Sequence, residues 1–465
     1  MNARTSNDSN FRYGHFTNSC LETFDKVPVL EPIISSHVQE VFPSTSLDES
    51  SIEFEFQTDR SIYLDMRDTH LMIQVELAKG RLFDIYKKRD EPIKKVEHKE
   101  PKADDSNAGI GASGSDDKDD DSDDDGLDNK SILTCVNNLL HSLFSNCEVY
   151  LNNQQVYNSN GLYAHKAFIS NEFNSTMSSN DGILHCHGYE MEINPRDFEE
   201  DPFYERQVHL NTRPMTFYGK LAIDLLTCDK LLLPNTKVRL KLIRARPNFY
   251  MISDNPHVSM RITDCSLFTR RVVVAEQFHS MIEYQLIHQP ALYNFMETVA
   301  RTFIIPSQQN QFIQENIFHN APIRRLAIAM NTNSAFTGSF DENPFHYQKF
   351  DLREIRIVRG GRAIVSLDTR EDCRAYVTTM KAMNFNEDIP ALPLQVFQDH
   401  YILVFDLTSL QDAGECVHYP ELTGESIRLE LFFEYPLENV TEIIVLGERI
   451  STVKIDKFGT VGKNV

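Results

Sequence analysis

The sequence predicts an all-β fold of antiparallel sandwiches, because apolar and polar side chains alternate with a period of two. Successive side chains of a strand point to opposite faces, so each alternating stretch predicts one buried and one solvated face. Strands of parallel sheets, which are buried on both faces, do not alternate in this way. The apolar positions of the four clearest stretches are Ile52, Phe54 and Phe56; Leu71, Ile73, Val75 and Leu77; Val238, Leu240 and Leu242; and Ile427, Leu429, Leu431, Phe433 and Tyr435.

Two turn sequences support the strand assignment. Gly360 and Gly361 lie between two apolar runs, and glycine readily adopts the positive φ angles that a two-residue hairpin needs. Asn152 and Asn153 form a second candidate turn, because asparagine tolerates the left-handed region. Both sites therefore predict β-hairpins.

Helices are expected to be few and short. Residues 161–170 form one candidate, and residues 276–287 form the other, as a connector between two β-rich blocks. The apolar residues of the second candidate that share one helical face are Phe278, Met281, Ile282 and Leu286.

The length of 465 residues exceeds what one hydrophobic core supports, and 41% hydrophobic residues are enough to build two or three cores. The net charge of −22 disfavours nonspecific attraction to nucleic acid over the whole surface. Much of that charge lies in residues 116–128, within a segment at 87–130 that lacks apolar periodicity. This segment predicts a disordered, charged insertion between two strands, and the first 30 residues predict a loosely ordered arm.

The sequence also bears on where the protein works. No apolar run follows the amino-terminal Met1, which argues against a signal peptide, and no stretch has the length and apolar character of a membrane span. The eight cysteines have no paired spacing and are expected to be reduced and mostly buried. We therefore expect an intracellular protein of the nucleus or cytoplasm that is not secreted.

Five groups of segments follow one another along the chain. They are Ser51–Phe56 with Tyr63–Met66 and Leu71–Leu77; Val136–Ser145 with Val149–Asn152; Gly219–Leu221 with Leu233–Asn235 and Leu242–Arg244; Phe303–Pro306 with Glu315–Phe318, Ala335–Gly338 and Asn343–Phe345; and Leu403–Thr408 with Ile427–Phe433 and Ile455–Asp456. In this order they resemble the major capsid protein of Polinton/Maverick elements and their adintovirus relatives. The matches run from about residue 40 to about residue 460.

The resemblance implies a double jelly roll of the adenovirus-hexon-like lineage, that is, two tandem jelly-roll β-sandwiches. Its expected divisions are an arm at 1–39, a first jelly roll at 40–275 and a connector with the second jelly roll at 276–465. The charged insertion departs from the family pattern, and residues 173–212 fit no recognisable pattern. Sequence identity between the two halves is not visible, so the duplication itself follows from the resemblance alone.

The same resemblance implies a structural function. The chain would form a homotrimeric capsomer that contacts neighbouring capsomers in an icosahedral virion, with a penton-type minor capsid protein as a further partner. An alternative is a domesticated, host-expressed copy from a transposable element, acting as a binding or scaffold module without shell assembly. A sugar-binding or sugar-cleaving jelly roll ranks last, because no segment concentrates aromatic and carboxylate residues together.

Four motifs suggest chemistry, and each has a simpler structural interpretation. His185-Cys186-His187 could place two metal ligands on one strand face, yet no second pair of ligands has zinc-like spacing. Residues 121–126 match the start of an EF-hand loop, but position 12 would be Ile132 instead of glutamate. Arg359-Gly360-Gly361-Arg362 resembles an RNA-contacting motif but is better explained as a hairpin turn.

The fourth motif is a basic strand face formed by Lys237, Arg239, Lys241, Arg244 and Arg246. We interpret it as a solvated sheet face, and the alternative is a surface turned toward a particle interior or a neighbouring subunit. No nucleophile elbow, phosphate-binding loop or zinc-protease motif occurs in the sequence. We therefore predict no enzyme activity, no catalytic, cofactor or metal site and no specific nucleic-acid site.

Overall fold

The computed structural model describes residues 32–78, 132–174, 180–198, 202–383, 392–409, 411, 413 and 424–464. The predicted charged insertion at 87–130, the EF-hand-like residues 121–126 and most of the predicted arm at 1–39 lie outside these ranges.

Ten strands form the amino-terminal half. They are β1 (Ile33–Val41), β2 (Ser51–Gln57), β3 (Ile62–Leu77), β4 (Leu133–Cys135), β5 (Phe144–Leu151), β6 (Gln154–Asn158), β7 (Met215–Lys220), β8 (Lys237–Arg244), β9 (Met251–Ser253) and β10 (Met260–Val274). Two four-stranded antiparallel sheets result, with the orders β1-β10-β3-β7 and β2-β8-β5-β6. The short strands β4 and β9 pair with each other.

Nine strands form the carboxyl-terminal half. They are β11 (Ala291–Ile305), β12 (Gln311–Gln314), β13 (Arg325–Thr332), β14 (Leu352–Arg359), β15 (Arg362–Asp368), β16 (Ile402–Asp406), β17 (Ile427–Phe433), β18 (Thr441–Ile455) and β19 (Val461–Asn464). The sheet orders are β11-β18-β13-β16 and β12-β17-β14-β15, and β19 adds to β18.

Both halves have the same topology. When the main strands of each half are counted one to eight, omitting β4, β9 and β19, both halves have one sheet ordered 1-8-3-6 and another ordered 2-7-4-5. Eight strands in two such sheets make a jelly roll. The predicted double jelly roll is therefore confirmed, and the duplication that the residues do not reveal is present in the topology.

Eight helices connect the strands of the described ranges. They are α1 (Leu139–Ser142), α2 (Tyr163–Asn174), α3 (Phe203–Thr212), α4 (Pro247–Tyr250), α5 (Glu276–His288), α6 (Asn333–Thr337), α7 (Asp372–Ala382) and α8 (Leu394–Phe397). The two predicted helices are confirmed as α2 and α5, with α2 starting and ending slightly later than expected. The prediction that Met281 shares the packed face of α5 is wrong, because its side chain is 63% exposed while Ile282 and Leu286 pack against the body.

The predicted alternation is confirmed in β2, β3, β8 and β17, with two exceptions in the last stretch. Glu430, on the face of β17 that was expected to be solvated, is buried. Tyr435, assigned to the buried face, is 66% exposed because β17 already ends at Phe433.

Both predicted hairpins are present. Their turn residues all have positive φ, namely 47° and 67° at Asn152 and Asn153 and 55° and 79° at Gly360 and Gly361.

One predicted boundary differs from the structure, and the segment that fitted no pattern contains regular structure. β1 starts at Ile33 and pairs with β10, so the first jelly roll begins inside the stretch 1–39 that was expected to be an arm. Residues 173–212, which fitted no pattern, include the end of α2, an irregular stretch at 180–198 and all of α3. This segment connects the fifth and sixth main strands of the first jelly roll.

The two jelly rolls share a hydrophobic core. Along β16, Leu403 and Phe405 belong to a cluster inside the second jelly roll, whereas Ile402 and Val404 belong to a cluster that also contains the core of the first. In β18, Ile444 likewise lies in the shared cluster. We call this shared region the junction. The first sheet of the second jelly roll (β11-β18-β13-β16) is thus buried on both faces.

The shared core predicts that the two jelly rolls unfold together. Replacing the fully buried Ile402 by alanine should lower the free energy of unfolding by about 2–5 kcal/mol through lost burial and a residual cavity. Calorimetry should show one transition, and hydrogen exchange should accelerate on both sides of the junction. Leu403→Ala is the matched control, because that neighbour packs inside the second jelly roll only. Two separate transitions in the parent protein would contradict a shared core.

Candidate functional site

Helix α2 supplies the aromatic centre of the junction. Phe168 stacks on Phe345 of the second jelly roll, with ring centroids 4.5 Å apart and planes 4° from parallel. His165 stacks on Phe336 at 5.1 Å, and its Nδ1 lies 2.9 Å from the Tyr347 hydroxyl. Seven consecutive residues, 163–169, are buried. The first two turns of helix α2 are therefore buried on all sides, between the two jelly rolls.

A buried ion pair adds to this contact. Lys166 of α2 lies 2.6 Å from Asp224, and the same carboxylate oxygen accepts a hydrogen bond of 2.8 Å from the backbone N–H of Thr298 in β11. Lys166 also donates to the Tyr157 hydroxyl at 2.9 Å. The charge pair thus links the first jelly roll to the first strand of the second.

A second polar cluster surrounds Glu192, in the segment that the sequence left unassigned. Arg206 of α3 donates to one carboxylate oxygen at 2.5 Å, and Asn343 of the second jelly roll donates to the other at 3.0 Å. The Nε2 atom of His400, just before β16, lies 2.8 Å from the Glu192 carbonyl oxygen. All four residues are buried. We call Glu172, Glu192, Arg206, Asn343 and His400 the junction latch.

His400 is held in its charged form by this latch. Its Nδ1 lies 3.4 Å from Glu172, which also accepts a hydrogen bond of 2.8 Å from Tyr189. Burial alone would lower the pKa of His400, but the negative charge of Glu172 and the contacts with Glu192 outweigh burial and raise this pKa to about 9.

Three other buried histidines are held neutral. Burial lowers the pKa of His165 to about 3 and, together with the nearby His70, lowers that of His187 to about 4. Burial and the neighbouring Arg196 guanidinium, which donates to Nε2 at 3.1 Å, lower the pKa of His346 to about 3. Acid must therefore charge groups that the folded chain keeps uncharged.

The proposed metal motif does not assemble. His185, Cys186 and His187 form a short 3₁₀ turn instead of a strand, and His187 is buried while the other two are exposed. Within the ranges that the structure describes, no three His, Cys, Asp or Glu side chains are grouped to bind a metal ion. Because these residues form a turn and not a strand, His185 and His187 do not share the strand face that the metal hypothesis requires.

The basic strand face is paired with acidic and aromatic neighbours. Lys237 lies 2.5 Å from Glu55, and Lys241 lies 3.4 Å from Glu53, both on the adjacent strand β2. The Arg239 guanidinium lies 4.2 Å from the centroid of the Tyr150 ring.

The remaining basic residues also have local roles. Arg244 donates to the Met260 carbonyl at 3.1 Å, and Arg246 precedes α4. In the Arg359–Arg362 turn, Arg359 donates to the Leu407 carbonyl at 2.9 Å. These contacts favour the interpretation of both motifs as structural surfaces.

Sequence reasoning missed the junction latch. Its members come from two helices (Glu172 and Arg206) and from irregular connections, and His400 and Glu192 lie 208 residues apart in the chain. Periodicity signals only which face of a strand is buried, so it carries no information about polar residues in irregular connections.

The latch predicts a loss of stability in mild alkali. Because the folded pKa of His400 is raised to about 9, the stabilisation is complete below the unfolded pKa of about 6.5 and is lost as pH rises toward 9. Between pH 6.5 and 8.5 the free energy of unfolding should fall by up to about 1.4 kcal/mol per pH unit from this group. Denaturant titrations should show that His400→Gln removes this slope, and an unchanged slope in the variant would refute the assignment.

The neutral histidines predict a loss of stability in mild acid. With folded pKa values near 3 to 4, His165, His187 and His346 stabilise the fold above pH 6.5 and lose this contribution as pH falls. Between pH 6.5 and 5, the unfolding free energy should decrease, and His346→Asn should reduce that slope by about one proton. A slope in His346→Asn equal to that of the parent would contradict the assignment.

Comparisons with known proteins complete the description. No family model matches the sequence. The uncharacterized protein F54H12.2 of Caenorhabditis elegans is 20% identical over 316 residues, which cover 65% of this chain and 75% of that protein. None of the helices in the described ranges combines the length and apolar character needed to cross a bilayer.

Solved structures resemble the whole chain. A chain of the Sputnik virophage has a TM-score of 0.60 at 9% identity, covering 100% of this chain and 93% of its own. The mavirus major capsid protein has a TM-score of 0.50 at 10% identity, covering 100% and 96%. A chain of the PBCV-1 virus capsid has a TM-score of 0.52 at 10% identity, covering 95% and 99%. The chain therefore has the double jelly-roll fold found in viral major capsid proteins.

Proposed function

We propose that this chain is a structural capsid protein, most closely comparable in role to the major capsid proteins of Polinton/Maverick elements. The observation that carries the proposal is the fold: two jelly rolls of identical topology, matched along more than 90% of both chains by a Sputnik virophage chain and by the mavirus major capsid protein. The five segments that resemble the Polinton/Maverick family lie in this same framework.

The proposed assembly unit is a homotrimer. Three chains contribute six jelly rolls, and such a unit tiles a shell by contacts between its flanks. The shared core supports this role, because a building block that keeps its two halves in one orientation presents the same flanks to every neighbour. Neighbouring capsomers and a penton-type minor protein are the proposed partners, inside a virion made in the nucleus or cytoplasm.

The proposed role involves no catalysis. Among the buried titratable groups of the junction, Arg206 contacts Glu192 and His400 contacts Glu172, so these groups act by fixing the two jelly rolls in place. Glu192, for example, has both carboxylate oxygens occupied by Arg206 and Asn343.

A domesticated host protein remains the second candidate. The observation favouring it is the relative in Caenorhabditis elegans, which is a matching protein in a nematode. A protein of this kind would use the double jelly roll as a binding or scaffold module and would not assemble into shells.

Mass measurement and imaging test the proposal. Analytical ultracentrifugation of the purified full chain at micromolar concentration should give a trimer, and negative-stain electron microscopy should show hexagon-like units or shells. A monomer at every concentration tested, with no particles, would reject the capsid function and favour the scaffold module.

A further inference from the structure

A cavity of about 680 Å³ lies at one end of the second jelly roll. Its walls come from three connections, which join β13 to β14, β15 to β16 and β17 to β18. In a sandwich of antiparallel sheets these three connections leave at the same end, so residues distant in the sequence meet there. The volume is in the range of cavities that bind small molecules. We call it the end cavity.

The lining of the end cavity is mostly polar. Carboxylate and amide side chains reach it from all three connections, namely Gln348, Asp351, Asp372, Gln398, Asp399 and Glu438. Carboxylates accept hydrogen bonds, and amides both accept and donate them, so one ligand with many hydroxyl groups can be bonded at several points. An apolar ligand would instead leave these groups without hydrogen bonds, at a cost in free energy.

Tyr435 adds an exposed aromatic ring to this polar lining. Its side chain is 66% exposed, because β17 has already ended at Phe433. The face of a tyrosine ring packs against the C–H groups of a sugar ring, while the hydroxyl group stays available for hydrogen bonds. No single segment of the sequence concentrates aromatic and carboxylate residues, but the fold brings them together from separate connections.

The backbone holds the walls of the end cavity in place. In the connection that carries the tyrosine, the Leu437 N–H donates to the Gln309 carbonyl at 2.9 Å, and the Glu434 N–H donates to the Asp351 carbonyl at 3.0 Å. Phe350 and Asp351 have positive φ angles of 50° and 51°. Such a conformation is costly for residues with these side chains, and it concentrates at ligand-binding sites, where the surroundings maintain it.

The charges of the end cavity disfavour anionic ligands. Lys349 donates to Asp372 at 2.7 Å, so these two charges offset each other. Arg196 of the first jelly roll is then the remaining basic side chain of the lining, against three further carboxylates, and this excess of negative charge repels anions. Across the described part of the chain, no three His, Cys, Asp or Glu side chains are grouped to bind a metal ion, so these carboxylates do not form a metal site.

A smaller cavity of about 270 Å³ adjoins the end cavity. Both are lined by Arg196, Thr332 and Gln348. Arg196 is fixed between them, because its Nε donates to Nε2 of His346 at 3.1 Å. The two cavities together offer room for a ligand of more than one ring.

We propose that the end cavity binds a neutral oligosaccharide. Tyr435 packs against one sugar ring, and the carboxylates and amides of the three connections form hydrogen bonds with the sugar hydroxyl groups. The ligand is the sugar itself, whether it is free or attached to a protein. The inference does not depend on assembly, so it stands or falls separately from the proposed capsid function.

Saturation-transfer difference NMR on the full chain tests the ligand class, because this method detects binding in the millimolar range. The probes are maltotriose, mannotriose, N-acetylchitotriose and lactose as neutral sugars, with sialyllactose and spermidine as an anion and a cation. At least one neutral sugar should show transfer. No transfer to any neutral sugar would reject the proposal, and stronger binding of sialyllactose or spermidine than of every neutral sugar would overturn the ligand class.

Substitutions test the site with the neutral sugar that binds best. Tyr435→Ala and Asp399→Asn should each weaken binding about tenfold, through loss of the ring and of a charged acceptor, and Tyr435→Phe should retain most of the affinity. Phe458→Ala is the matched control, since Phe458 is an 81% exposed aromatic residue between β18 and β19, outside the cavity. Circular dichroism and thermal melting confirm that each variant is folded. Unchanged binding by Tyr435→Ala, or equal loss in Phe458→Ala, would show that the site is assigned wrongly.

A competition experiment separates the sugar from its carrier. The same oligosaccharide attached to a carrier protein should bind the chain, and the free oligosaccharide should displace it. Binding of the conjugate that the free sugar does not displace would mean that the chain recognises the carrier protein, and it would overturn the proposal.

Discussion

Burial of one sheet on both of its faces is the constraint on which the rest of the structure depends. The first sheet of the second jelly roll packs inward through residues such as Leu403 and outward, onto the first jelly roll, through Ile402, Val404 and Ile444. Each fully buried aliphatic side chain contributes about 1.5–3 kcal/mol. Several such side chains together contribute more free energy than any single polar contact at the junction. The packing therefore predicts that the two jelly rolls fold as one unit and not as two domains joined by a linker.

The junction latch determines the orientation in which the two jelly rolls pack more than it determines the free energy of their contact. Removing charged groups from water costs free energy that their mutual attraction roughly offsets, so Arg206 with Glu192 and His400 with Glu172 add little stability compared with apolar side chains of similar volume at the same positions. A shifted orientation, however, would leave these charges buried and unpaired, which is strongly unfavourable. Apolar burial therefore supplies the free energy of the junction, and the latch selects one arrangement and makes it sensitive to pH.

The sequence predicted strands correctly where one face of the strand is exposed to solvent, and it was uninformative elsewhere. Alternation correctly identified β2, β3, β8 and β17, and turn residues located both hairpins. Helical periodicity failed at Met281, because α5 has apolar residues on two sides. Alternation failed at Tyr435, because the alternating pattern continues beyond the last hydrogen-bonded pair of β17. The latch could not be predicted, since polar contacts between residues distant in the sequence leave no periodic signal. The topological duplication was invisible too, because it is a property of strand order and not of residue identity.

A different signal distinguishes the strands that lie between the jelly rolls. β16 contains Ile402-Leu403-Val404-Phe405, and β18 contains Ile443-Ile444-Val445-Leu446, both continuous apolar runs, as expected for strands buried on two faces. Leu71–Leu77 in β3 alternates instead, and the residues between its buried positions, Met72, Gln74 and Glu76, are partly exposed. A sheet face that water reaches rarely carries a continuous aliphatic surface. The alternation in the first jelly roll and the continuous runs in the second thus distinguish a sheet with one solvent-exposed face from a sheet that lies between the two jelly rolls.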